Sequence, residues 1–236
     1  MRRSITLFLG LGFLLVLFSG CATTHKVRVD ALSTGSVSSG SGFTYVLASG
    51  TEGVEETDLF FKTVARHVNP VLAGKGFRLV EDPTMAELQV VVDAYMSEPL
   101  VETRHYSEPV YLRTGGYYHR YRVPVVNKDG KVVRYHYGYY WDPGYMHHSG
   151  WVNNTSQVTV YDKVLHLSAR RLLPSGETGE EEWTTKAVLR SRSTDYRSAL
   201  PILLMAANPY IGEQTEKQET ITIREDSPEL ESYKVK

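Results

Sequence analysis

The chain has 236 residues with 26 Lys and Arg against 27 Asp and Glu, a single Cys, and 16 Tyr. Near-neutral charge excludes an electrostatic case for nucleic-acid binding, and one cysteine excludes a disulfide framework. Stability has to come from a packed core, and the length suits one large domain or one domain carrying an insertion.

The first residues, MRRSITLFLGLGFLLVLFSGC, read as an export signal over 1–20. Arg2 and Arg3 form a positive n-region, and the apolar run from Ile5 to Phe18 is too short for the ~20 residues that span a bilayer. The run ends in Phe18-Ser19-Gly20-Cys21. Two small residues before a cysteine resemble a bacterial lipobox, although Phe18 stands where leucine is usual. Cys21 is then the lipid-attachment residue, and acylation (palmitate among the chains) accounts for an otherwise unpaired thiol. An ordinary secretory signal that happens to contain a cysteine is the alternative. Ala22 follows the cysteine, and the resemblance to bacterial lipoproteins implies that, without aspartate there, the destination is the outer membrane, facing the periplasm.

Residues 21–42 carry the lipidated N-terminus. KVRVDAL alternates Val27, Val29 and Ala31, and STGSVSSGSG over 33–42 has the composition of a linker, so a tether and a first strand both remain open. A single domain is expected over 43–212. FTYVLAS (43–49) alternates as a strand should. VEETDLFFKTVARHVNPVLAG (54–74) predicts an amphipathic helix, kinked by Pro70 and stopped by Gly74 and Gly76. FRLVED and AELQVVVDAYM predict two strands, the second placing Leu88, Val90, Val92 and Ala94 on one face. SQVTVYDKVLHLSARRLL and EEEWTTKAVLRSR predict a hairpin closed by PSGETGE, and SALPILLMAANPYIG (198–212) a second helix. The polar tail over 213–236 predicts one edge strand at 220–224 followed by disorder. The expected fold class is α+β: an antiparallel sheet of about four to five strands, two helices packed on one face, and an inserted Tyr-rich β-hairpin.

In its order of elements the chain resembles the bacterial lipoproteins of the domain of unknown function 4136 family. The likeness rests on GKGFRLVEDP and AELQVVV within residues 68–95, on the aromatic-rich insertion, and on the lipobox, and it covers roughly residues 26–212. It implies a fold and an envelope location, and it brings no reaction and no catalytic residues.

The insertion, about 100–155, holds ten of the 16 tyrosines and five of the eight histidines. Two alternating runs flank Asn127-Lys128-Asp129-Gly130, a hairpin turn signal. Strand parity points Val133, Tyr135, Tyr137 and Tyr139 one way and Arg134, His136 and Tyr140 the other, with Trp141 and Trp151 nearby; Tyr135, Tyr137, Tyr139 and Trp141 are the aromatics of interest. These four aromatics are the candidate ligand-binding residues, because such rows suit sugar rings or apolar ligands. They suit equally a hairpin stabilised by its own cross-strand tyrosines. A metal or hydrolytic site built on His136, Asp142 and His147 is the rival reading. The histidines follow no ligand spacing, so no metal, cofactor or catalytic residue is assigned. The expected role is a non-enzymatic envelope lipoprotein, a binding or assembly module. Its partners are the membrane through the lipid and an envelope protein or peptidoglycan, not nucleic acid.

Overall fold

The computed structural model describes residues 23–37, 40, 42–173 and 175–234. The export signal and Cys21 lie outside the described residues. The chain divides into two compact units, one of residues 1–100 and 159–236, the other of residues 101–158.

The first unit is built on a mixed sheet. Its strands are β1 (Thr24–Ser33), β2 (Thr44–Ser49), β3 (Arg78–Leu79), β4 (Leu88–Met96), the C-terminal part of β8 (Tyr145–Leu172), β9 (Thr178–Ser191) and β10 (Glu219–Arg224). They lie in the order β10-β1-β9-β8-β4-β2-β3, and β5 (Leu100–Thr114) adds to β8 as the eighth member. This corrects the expected fold class. Of the described residues 53% are in strands and 16% in helices, and the sheet has eight strands and is mixed, not a small antiparallel sheet of four or five. The physical reason is the connection through α1 (Leu59–Gly74). A helix between two strands returns the chain to the same end of the sheet, so β4 and β3 both run parallel to β2. KVRVDAL is not a tether: it is β1, hydrogen-bonded to β10 on one side and β9 on the other.

Alternation explains the core. Val27, Val29, Leu88, Val90, Leu165, Leu167, Ala169 and Ala187 are each fully buried, every second residue of four neighbouring strands. From α1 the buried stripe is Phe61, Val64, Val68 and Leu72, at three- and four-residue steps, while Leu59 stays exposed. The helix starts at Leu59, later than the acidic run at 55–58 suggests, and continues through Pro70. Helix α2 (Leu200–Ala207) is buried along almost its whole length and lies against β1, β9 and α1. Trp183 is 1% exposed and tilts against Phe77 at 6.0 Å. Tyr45 is buried and donates its hydroxyl hydrogen to Asn69 Oδ1 at 3.0 Å, and burial pushes its pKa up.

The polar tail conceals one apolar anchor. After β10 the short helix α3 (Pro228–Glu231) sets Leu230 into the core, and the Tyr233 hydroxyl accepts a bond from Asn208 Nδ2 at 2.8 Å. Among the described residues no helix is long and apolar enough to cross a membrane.

Candidate functional site

The second unit holds the aromatic segment. β6 (Tyr117–Val126) and β7 (Val132–Asp142) form a two-stranded antiparallel sheet. Asn127 organises its turn: the side-chain Oδ1 accepts the amide hydrogens of Asp129 at 3.0 Å and Lys131 at 2.9 Å. Gly130 follows at φ 78°, a conformation that side chains resist. The register shifts between Val125 and Val126, and from there Arg134 faces Val125, Tyr135 faces Pro124, Tyr137 faces Arg122, Tyr139 faces Arg120 and Trp141 faces Tyr118.

This register brings all four candidate aromatics onto one side and adds partners that parity within a single strand does not reveal. The Arg120 guanidinium lies over the Tyr137 ring, 3.8 Å from its centroid, and Arg122 lies over Tyr135 at 5.0 Å. Tyr118 tilts against Trp141 at 4.9 Å. Each guanidinium thus reaches diagonally past the residue it faces to the next tyrosine along the partner strand, forming a ladder of alternating cations and rings. An exposed cation over a ring contributes ~0.5–1 kcal/mol and an aromatic pair ~0.5–1.5 kcal/mol. Contacts of this kind hold a ribbon that has no core. None of the rings is buried: Tyr135 is 44% exposed, Tyr137 51%, Tyr139 63%, Trp141 49% and Tyr118 68%.

The opposite side carries a second aromatic series. His119 stacks on Tyr140 at 5.0 Å and 13°, with Tyr117 against its other neighbour position at 4.5 Å. Its Nε2 lies 3.3 Å from Asp142 Oδ2, and Asp142 Oδ1 accepts the Gly144 amide hydrogen at 2.8 Å. The Gly144 amide first, and His119 second, hold the Asp142 carboxyl below the usual carboxylate range. Tyr121 faces Gly138 and lays its ring across it, so that a β-carbon there would meet the ring at 2.4 Å. Only glycine leaves room for that ring, a known way of shielding a glycine in a strand.

A corner separates this ribbon from the one formed by β5 and β8. Gly115, Gly116 and Gly144 have φ of 93°, 87° and 71°. A β-carbon at Gly144 would fall 1.9 Å from the Thr114 carbonyl oxygen, so the two chains cross in backbone contact. The Pro143 carbonyl accepts from Arg113 Nη2 at 2.7 Å. On the β5–β8 side, Trp151 is 64% exposed and meets His148 edge-on at 5.3 Å, and His148 meets Tyr111 at 5.8 Å.

The rival constellation is not assembled. His136 and Asp142 sit six positions apart on one extended strand, ~20 Å at 3.4 Å per residue. Asp142 instead pairs with His119, and His147 lies beside Tyr145. Among the described residues no three His, Cys, Asp or Glu side chains gather closely enough to hold a metal ion. Arg120, Arg122 and Tyr118 are the residues that sequence reasoning missed. The signal was the alternation in YYHRYRVP, which becomes informative once the turn fixes the register.

No family model matches the chain, and no curated protein matches it. Solved structures do. A PelC dodecamer from Paraburkholderia phytofirmans matches at TM-score 0.36 and 9% identity, over 80% of this chain and 99% of that one. A PDZ domain protein from Parabacteroides distasonis matches at TM-score 0.32 and 11% identity, over 85% of this chain and 39% of that one. Likeness at this level defines neither the fold nor the function of this chain.

Proposed function

We propose that the protein is a non-enzymatic, lipid-anchored protein of the bacterial outer membrane, facing the periplasm, and that its hairpin is a glycan-binding platform directed at peptidoglycan. The observation that carries the binding role is the ladder face, where four tyrosines and a tryptophan stand about half exposed on one side of a ribbon with no buried interior. Contiguous exposed apolar surface of this kind marks interaction sites. Tyrosine and tryptophan supply broad, rigid contact with a polar tip at low entropic cost, which suits sugar rings that are apolar on their faces and hydroxylated at their edges. The anchor rests on Phe18-Ser19-Gly20-Cys21 and on the resemblance to the domain of unknown function 4136 lipoproteins.

Two experiments test the two halves. Labelling with a fatty-acid probe in a bacterial host is expected to mark the wild type and to leave Cys21→Ser unmarked; a labelled Cys21→Ser protein refutes the anchor. Purified chain is expected to co-sediment with peptidoglycan sacculi, and Tyr139→Ala combined with Trp141→Ala is expected to release it. Unchanged co-sedimentation by the double variant removes the hairpin from the binding role.

A further inference from the structure

We infer that the ladder face selects acidic glycans, with carboxylates on the chain engaging Arg120 and Arg122 while sugar rings lie on the tyrosines and Trp141. This rests on the glycan-binding reading and specifies the class of glycan.

The second unit holds seven of the chain's 26 basic residues and four of its 27 acidic ones, although the chain as a whole is nearly balanced. Within the hairpin itself, Arg120, Arg122, Lys128, Lys131 and Arg134 stand against Asp129 and Asp142 only. Neither acid is on the ladder face. Asp129 belongs to the turn, and Asp142 is on the opposite side, held by His119 and the Gly144 amide. Tyr118, Arg120, Arg122, Pro124, Tyr135, Tyr137, Tyr139 and Trp141 therefore form a surface with two cations and no anion.

The form of those cations matters. Among the described residues no carboxylate forms an ion pair with Arg120 or Arg122; each is held over a ring instead. Stacking fixes the plane of a guanidinium but consumes none of its N–H donors, and those donors match a carboxylate two at a time. Arg120 and Arg122 are two residues apart on one strand, so the two forks repeat at ~7 Å along the face. A neutral glycan satisfies the rings and offers both forks only hydroxyl acceptors, which bond a guanidinium singly and without charge. A polymer with carboxylates at intervals satisfies both.

The test uses the full purified chain and three probes at low salt: an oligogalacturonate, a neutral chitin oligosaccharide, and vesicles containing phosphatidylglycerol. The oligogalacturonate is expected to bind at least ten-fold more tightly than the neutral oligosaccharide, with the difference shrinking as salt is raised. Arg120→Gln with Arg122→Gln is expected to bring the acidic-to-neutral ratio close to one, whereas Arg120→Lys with Arg122→Lys, which keeps the charge, is expected to retain a preference. A variant whose hairpin has come apart loses both oligosaccharides together and is recognised by that. Equal binding of acidic and neutral chains by the wild type overturns the selectivity and leaves the glycan platform standing. Binding of neither oligosaccharide overturns the platform as well. Binding of the vesicles alone overturns both and makes the face a membrane contact.

Discussion

Gly144→Ala tests whether the corner is what holds the ribbon. The added β-carbon would stand 1.9 Å from the Thr114 oxygen, 2.7 Å from Gly115 Cα and 2.8 Å from Thr114 C, all backbone atoms with no flexible end to move aside. The residue also sits at φ 71°, where a side chain costs ~1–2 kcal/mol, and overpacking adds ~1–3 kcal/mol. The sum is ~2–5 kcal/mol, set against a two-stranded ribbon that is marginal by itself. Gly130→Ala is the control, since Gly130 has φ 78° but nothing within 4 Å of its would-be β-carbon. It carries the conformational cost alone. Native-state hydrogen exchange reads the difference at the amides of β6 and β7, including the Gly116 amide bonded to the Asp142 carbonyl at 2.9 Å. The overpacking of ~1–3 kcal/mol is what separates the two variants, so at ~1.4 kcal/mol per factor of ten protection in Gly144→Ala is expected to fall at least ~5-fold below that in Gly130→Ala. The amides of β4 and β9 are expected to keep theirs. Equal protection in the two variants would show that the corner carries no strain and that the ribbon's order comes from elsewhere.

Three further outcomes follow from the same geometry. Gly138→Val drives a branched side chain into the Tyr121 ring and is expected to break the Tyr121–Tyr140 approach of 6.3 Å, read as lost cross-peaks between the two rings by NMR; retained cross-peaks would mean the ring was never seated there. Asp142 is held below the usual carboxylate range, so its folded form is favoured above the unfolded carboxylate pKa of ~3.9 and that contribution is lost as pH falls through the lower, folded value. The tryptophan fluorescence is therefore expected to stay constant from pH 7 to 5 and to change only below ~4, with Asp142→Asn abolishing that acid step; an acid step that survives in Asp142→Asn would assign it to another group. Lys163 is 1% exposed and donates to Ser191 Oγ at 2.7 Å, and its burial lowers its pKa more than the attraction of Asp195 raises it. Lys163→Met is expected to leave the thermal midpoint unchanged or raised, while Lys163→Ala, which opens a cavity, is expected to cost ~2 kcal/mol. A large loss in Lys163→Met would show that the charge itself is needed.

How much was legible in the sequence depended on whether a segment buries one face. Leu88, Val90, Val92 and Ala94 announce β4 because period-two burial is written directly into residue choice, and all four are at most 3% exposed. Strand β5 announces nothing: VETRHYSEPVYLRT is exposed on both sides, so hydrogen bonding to β8 holds it in place and alternation has nothing to report. The mixed character of the sheet was hidden for a different reason. Strand direction is decided by what connects the strands, and reading β2, α1 and β4 as separate elements leaves out the crossover they form together. At the site, parity along β7 was enough to gather Tyr135, Tyr137 and Tyr139, and the register adds Trp141 to their side. Their cationic partners lie on the other strand, and finding them requires the register, which depends on the shift between Val125 and Val126.

That register also limits how the ribbon can change length. The ladder exists because Arg120 and Arg122 fall on the same side as Tyr135, Tyr137 and Tyr139. Inserting one residue into either strand turns everything beyond it to the opposite side and pairs cations with the wrong rings. Growth or trimming by two residues in each strand adds or removes a rung and keeps the face intact. The binding surface can thus be tuned in reach, in whole rungs, without redesign of the sheet in which Met96 and Lys163 pair.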